Sequence, residues 1–262
     1  ILLAILAEGG LALAIDSARI LGLVHSIAIL VTGLYAIARR NLTTVTMLMC
    51  YIAGCEVLWR QTRAPVYYLI APYSITILGI LAAVVEIGRI NIQGRVAVVY
   101  FALLLPGVVT TIQTAGADAR ELIAFSLSGP LALLALVVLF SQIKANQREY
   151  RLALWSIVIG GIGPLTLALT SLREGLAAGD LKFSDQSNFA ASGGFGPVQV
   201  SSVLGLCALV SVLLVILESN IAVRVIAGLL AAILTIQSLL TFSRGGMTAS
   251  AKRRGVSRLD SM

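Results

Sequence analysis

Residues 198–217 read VQVSSVLGLCALVSVLLVIL, and this stretch decides the fold. It contains no charged residue. After a polar break at 218–220, a second apolar run covers 221–243 and contains one charge, Arg224. Runs of roughly 17–25 apolar residues are long enough to cross the ~30 Å hydrocarbon core of a bilayer. Lipid offers no partner to backbone N–H and C=O groups, so each run is predicted to be a helix.

Similar runs cover most of the chain, which is 58% hydrophobic and only 12% charged. A soluble domain carries roughly 25% charged residues, so a soluble fold is excluded. The runs lack the alternation of membrane β-strands. We therefore predict an all-α, polytopic transmembrane bundle of about nine helices, or eight, because Glu8 and two glycines interrupt the short first run. The predicted runs are 1–15, 18–38, 42–59, 66–87, 95–115, 122–143, 152–172, 198–217 and 221–243.

No hydrophilic stretch is long enough to fold alone, so we predict one membrane domain over 1–246 and a basic tail over 247–262. The start, Ile1-Leu2-Leu3, is interpreted as trimmed and not as a signal peptide. The net charge is +7, but five of the 19 basic residues lie in the last nineteen positions. Most others flank apolar runs, where they set topology and contact lipid headgroups. Membrane lipids, and not nucleic acid, are the expected partners.

Lys and Arg in the short loops predict the orientation, because the cytoplasmic side carries more of them. Eight basic residues fall on one side and six on the other, which places the polar loop 173–197 outside the cytoplasm. The basic tail then falls outside too, against the rule. The two sets are Arg39, Arg40, Arg89, Arg95, Lys144, Arg148, Arg151 and Arg224, and Arg19, Arg60, Arg63, Arg120, Arg173 and Lys182.

The sequence gives little support for a metal site or for a catalytic nucleophile. His25 is the single histidine and lies within an apolar run, so a hydrogen-bonded packing role is favoured over catalysis or metal binding. The three cysteines also lie in apolar runs and form no metal-binding or redox pattern. We predict no metal and no cofactor, and the catalytic residue stays unknown.

Charge at helix ends is the best functional pointer in such a bundle, because charge is costly in lipid. In GCEVLWR at 54–60, Glu56 and Arg60 are spaced i,i+4 and share a helix face, where they can pair. The structural alternative is an interfacial ion pair beside Trp59 in the aromatic belt.

A polar, glycine-rich segment at 183–202, FSDQSNFAASGGFGPVQVSS, leads through Pro197 into the next apolar run. Glycines allow close backbone approach to a ligand, and a helix N-terminus suits a phosphate. An ordinary capped loop is the alternative. The glycines and proline at 160–164 (GGIGP) indicate a kink or close helix packing, and packing is favoured.

The third place is TFSRGG at 241–246, where the last run ends. Arg244 can direct two donors onto a phosphate or pyrophosphate. The alternative is a snorkelling arginine that marks the membrane boundary.

Four segments together resemble the bacterial O-antigen ligase/polymerase superfamily. SGGFGPVQVSSVLGL at 192–206 is similar to a family signature that usually reads SGGFGPNQVS, and LTFSRGG at 240–246 is similar to its arginine-bearing helix end. GCEVLWR at 54–60 and IAFSLSGPLAL at 123–133 match flanking family segments in order and spacing.

The resemblance implies a GT-C-type glycosyltransferase, without cofactor, at the outer face of the bacterial inner membrane. Such enzymes transfer a glycan from undecaprenyl pyrophosphate to an acceptor glycan or to lipid A core, and so build O-antigen, lipopolysaccharide or exopolysaccharide. By this analogy Arg244 holds the diphosphate, and a leaving group of that charge needs fixed positive charge beside it. The other implied binding residues are Arg60, Glu56, Gln199, Gly194 and Ser243.

Two departures qualify this analogy. Val198 stands where the family usually has asparagine. The family also places a large extracytoplasmic loop, with its catalytic His or other base, after the arginine helix. The sequence stops at Met262, so we expect a longer natural protein or a truncated copy, and no turnover by this chain. A polytopic transporter or lipid flippase and a non-catalytic remnant are the alternatives.

Overall fold

The computed structural model describes residues 1–86, 92–143, 145–178 and 189–241. Every regular element in these residues is helical, with no strand. Two short 3-10 turns lie at Gly116–Asp118 and Ala190–Ser192. The α-helices are α1 (Leu2–Ser17), α2 (Ile20–Ala38), α3 (Leu42–Gln61), α4 (Ile70–Glu86), α5 (Ile92–Ala115), α6 (Ala119–Phe140), α7 (Gln147–Ala178), α8 (Pro197–Leu217) and α9 (Ile221–Thr241).

Six helical stretches among the described residues are long and apolar enough to cross a membrane, so the chain is a multi-pass membrane protein. One of them is the 47-residue stretch Gly94–Phe140, which takes in both α5 and α6. Helix α1 has 16 residues and α4 has 17. At 1.5 Å per residue these two helices are about 24–26 Å long, short of the ~30 Å core. The number of about nine membrane spans therefore stays a prediction.

The described residues form two compact units. The first unit takes in the described residues of Ile1–Leu21, Gly54–Ala64 and Leu154–Met262, and the second those of Gly22–Ala53 and Pro65–Ala153. In the first unit α7, α8 and α9 share one core, in which Leu204, Leu214 and Leu234 are fully buried. In the second unit α6 packs against both α4 and α5.

Glycines bring the helices of each unit into close contact, which is how membrane helices gain packing energy. A side chain added at Gly54 of α3 would overlap the carbonyl oxygen of Ile157 on α7, and one added at Gly161 would overlap the Cys207 side chain on α8. In the second unit Gly79 of α4 lies against Ala135 of α6. Gly161 and Gly163 of the 160–164 cluster therefore serve packing, and α7 continues through Pro164.

Candidate functional site

The candidate site lies where α3 ends, in the first unit. Oε1 of Glu56 lies 2.6 Å from Nη2 of Arg60 one helical turn later, and the two side chains are 29% and 11% exposed. The i,i+4 pair expected from the sequence is therefore present. Because the carboxylate neutralises the guanidinium, this pair presents no net charge to an anionic ligand.

Arg60 also contacts the glycine-rich segment. Its Nη1 donates to Oε1 of Gln199 over 3.2 Å, across 139 residues of sequence. Gln199 lies in the first turn of α8, where Gly196 precedes the helix and Pro197 occupies its first position. Two segments singled out separately from the sequence thus meet through a side-chain hydrogen bond.

The glycine-rich segment forms a tight turn before α8. Gly193 and Gly194 follow the 3-10 turn Ala190–Ser192 with φ of +70° and +72°, a left-handed conformation that favours glycine. The N–H of Gly194 donates to the carbonyl of Phe189 over 2.9 Å. No atom lies within 4 Å of where a Gly194 side chain would start, so there is open space on that side of this predicted site residue.

Two buried glutamines hold this turn from different helices. Nε2 of Gln61, the last residue of α3, donates to the carbonyl of Ser192 over 3.0 Å and to that of Pro164 over 3.4 Å. Nε2 of Gln237 on α9 donates to the carbonyl of Ala191 over 2.7 Å. We name Gln61 and Gln237 the glutamine clasp. Neither glutamine was predicted from the sequence, although Gln237 lies inside the apolar run 221–243, where a polar side chain needs a buried partner.

The end of α9 lies beside the start of α8. Helices α8 and α9 form an antiparallel hairpin, and Oγ of Ser238 donates to the carbonyl of Ser201 over 2.9 Å. Thr241, the last described residue of α9, is fully buried. Ser243 and Arg244, two predicted binding residues, lie outside the described residues, as do the tail 247–262 and the loop residues 179–188.

The other end of the hairpin is fixed by different groups. The indole Nε1 of Trp155 on α7 donates to Oε1 of Glu218 over 2.8 Å. Nη2 of Arg224 donates to the backbone carbonyl of Glu218 over 2.8 Å. Arg224 therefore caps the turn between the two helices, at the end of the hairpin away from the candidate site.

The burial of three further residues differs from, or adds to, what the sequence indicated. Trp59 is 2% exposed, so the aromatic-belt interpretation was wrong: its indole packs inside the protein. Val198 is 61% exposed and turns away from the core. Glu8 on α1 is 6% exposed, and a side chain on Gly163 would start 3.2 Å from its Oε1. A carboxyl group within an apolar run was the signal that the sequence offered for Glu8.

The single histidine has a packing role in the second unit. Nε2 of His25 lies 3.0 Å from the hydroxyl of Tyr51, within hydrogen-bond distance, and the two rings meet edge to face. Within the described parts of the chain, no three His, Cys, Asp or Glu side chains gather as metal ligands.

The described site thus joins Glu56, Arg60 and Gln199 at one end of the first unit, and Gly194, with open space beside it, lies five residues before Gln199. This arrangement offers amide and guanidinium donors and one carboxylate acceptor, which suits a hydroxylated ligand. No protein-family model, curated protein or solved structure matches the chain.

Proposed function

We propose that the chain is part of a GT-C-type membrane glycosyltransferase of the O-antigen ligase/polymerase superfamily. It acts at the outer face of the bacterial inner membrane and transfers glycan from undecaprenyl pyrophosphate to an acceptor glycan or lipid A core. The observation that carries the proposal is the Arg60–Gln199 hydrogen bond, which joins two of the four segments behind the resemblance.

The third segment supports the proposal through the chain connection. Arg244 follows Thr241, the last described residue of α9, by three residues in the sequence. Ser238, three residues before Thr241 on α9, donates to the carbonyl of Ser201, which lies two residues after Gln199 on α8. Since Glu56 offsets the charge of Arg60, Arg244 is the residue that supplies positive charge to the diphosphate.

The reaction needs one nucleophile and one leaving group. The acceptor hydroxyl oxygen bonds to the anomeric carbon, the bond from that carbon to the pyrophosphate breaks, and the hydroxyl proton passes to a base. Gln199 and Glu56 hydrogen-bond sugar hydroxyls in this proposal, and in the family that the chain resembles the base lies in the loop after the arginine-bearing helix. Positioning and charge stabilisation are then the contribution of this chain.

The test is Arg244→Ala in the full-length protein, expressed in cells that lack the wild-type gene. Loss of surface glycan with unchanged membrane abundance is expected. Arg148→Ala is the control, because it removes an exposed arginine from the first turn of α7. Wild-type glycan levels in Arg244→Ala cells would exclude Arg244 from the site and with it the proposed chemistry.

Glu8 favours a second candidate, a transporter or flippase, because a buried carboxyl inside a helix is typical of ion- and proton-coupled carriers. Purified full-length protein in vesicles separates the two candidates. Transfer of glycan from the undecaprenyl carrier supports the enzyme, whereas movement of the carrier lipid without transfer supports the flippase.

A further inference from the structure

A groove in the second unit has the shape and charge of a lipid site. Its volume is about 640 Å³, within the range of small-molecule pockets. Helices α4, α5 and α6 and the turn between α5 and α6 line it, with Tyr73, Ile112, Arg120, Leu127, Ser128 and Leu131 among its residues.

The groove is about as deep as one leaflet. Arg120 lines it in the first turn of α6, and Leu131 lines it eleven residues later. At 1.5 Å per residue these positions are about 16 Å apart along the helix axis, close to half of the ~30 Å hydrocarbon core. An acyl chain that enters beside Arg120 therefore reaches the bilayer midplane beside Leu131.

The walls of the groove below Arg120 are apolar. Its lower part is lined by Ile123, Leu127 and Leu131. The hydroxyl of Ser128, which also lines the groove, donates a hydrogen bond to the carbonyl of Phe125 over 3.1 Å. Tyr68, just before α4, stacks on Phe125 in the second turn of α6, with ring centroids 6.3 Å apart. Tyrosines concentrate at the membrane–water boundary, which identifies the Arg120 end as the headgroup end.

Three charged residues lie close together in sequence at that end. Arg120 is exposed and forms no ion pair within the described part of the chain. Asp118 and Glu121 are exposed neighbours on either side of it in sequence, and neither lines the groove. One cation between two carboxylates complements a headgroup that carries a phosphodiester and an ammonium group. An anionic headgroup with no cation would meet the two carboxylates unfavourably.

We propose that this groove binds one zwitterionic glycerophospholipid of the surrounding bilayer, such as phosphatidylethanolamine. Arg120 holds its phosphate, Asp118 and Glu121 attract its ammonium group, and an acyl chain fills the groove down to Leu131. A guanidinium binds a phosphate through two parallel hydrogen bonds, which gives the site its headgroup contact. The bound lipid completes the packing of α4, α5 and α6.

Native mass spectrometry of the purified protein tests the proposal. The protein is exchanged into nanodiscs of equal phosphatidylethanolamine and phosphatidylglycerol, and the lipid retained after release is identified. The wild type is expected to retain one phosphatidylethanolamine. Arg120→Ala is expected to weaken its affinity about tenfold, the effect of losing charge-assisted hydrogen bonds, and so to lower the amount of lipid retained. Arg148→Ala is the matched control, since Arg148 is also the second residue of its helix.

Two further variants keep the result decisive if Arg120→Ala folds poorly. Ala124→Phe fills the groove, and all lipid retention should fall. Asp118→Asn with Glu121→Gln should abolish the preference for phosphatidylethanolamine over phosphatidylglycerol. Equal retention of both lipids by the wild type, retention unchanged in Ala124→Phe, or displacement of the lipid by undecaprenyl phosphate would each overturn the proposal.

Discussion

Nη1 of Arg60 and Oε1 of Gln199 lie 3.2 Å apart and connect the end of α3 to the first turn of α8. Glu56 holds the same guanidinium from one turn earlier, so Arg60 bridges an acid and an amide. This bridge is polar and only partly exposed. Hydrogen bonds between membrane helices contribute about 0.6 kcal/mol on average and up to about 1.7 kcal/mol.

Arg60→Ala and Gln199→Ala should therefore be non-additive. Each single change is expected to lower the melting temperature of the detergent-solubilised protein by roughly 2–4 °C, and the double change by less than the sum. Arg60→Lys should not restore stability. Lysine has a single ammonium group and lacks the planar guanidinium that contacts the Glu56 carboxylate and the Gln199 amide together. Additive effects would mean that the two side chains do not interact in the membrane.

Loss of either clasp glutamine should loosen the turn 190–192. Gln61→Leu leaves the carbonyl of Ser192 without its donor, and Gln237→Leu does the same for Ala191. Each change should cost about 1–3 kcal/mol, the penalty for an unsatisfied buried polar group. Gln113→Leu on the exposed face of α5 is the control and should be neutral. Limited proteolysis at 189–196 measures the loosening, and equal cleavage in all three variants would contradict it.

The two left-handed glycines should differ in their tolerance of a side chain. Gly193→Ala adds a methyl group 2.8 Å from Nε2 of Gln61 as well as left-handed strain, whereas Gly194→Ala adds the strain alone. That strain is about 1–2 kcal/mol, and Asn reduces it. Melting temperatures should follow the order wild type, Gly194→Asn, Gly194→Ala, Gly193→Ala, from highest to lowest. A Gly193→Ala variant as stable as Gly194→Ala would show that the Gln61 side chain does not pack closely against Gly193.

The substitution Gly54→Ala should disrupt the packing of α3 against α7. Its added methyl group would overlap the carbonyl of Ile157 and lie 2.9 Å from the amide nitrogen of Gly161, both backbone atoms that cannot move aside. Overpacking of this kind costs typically 1–3 kcal/mol. Gly107→Ala in α5, with no atom within 4 Å of the new carbon, should be neutral or slightly stabilising. Comparable melting temperatures for the two variants would rule out this close packing.

Apolar runs and paired charges were predictable because they follow local rules. A run without charge must be helical in lipid, and Glu56 and Arg60 share a face through helix geometry alone. The contacts of Gln61, Gln237 and Trp59 were not predictable, because they depend on which helices pack together. The sequence has no local pattern that links Gln237 to Ala191, 46 residues away. The number of membrane spans was also not predictable from local patterns, because α1 and α4 are short and α5 and α6 form one apolar stretch.

The α8–α9 hairpin is fastened at both ends, by Trp155 and Arg224 on Glu218 and by Ser238 on Ser201. Helix α9 therefore cannot slide or turn about its axis without breaking one set of bonds. One residue inserted between Arg224 and Gln237 would rotate everything after it by about 100°. The hairpin thus fixes the rotation of α9 about its axis at Thr241. If this rotation matters for function, activity in a series of single-residue deletions along α9 should vary with the 3.6-residue period of the helix.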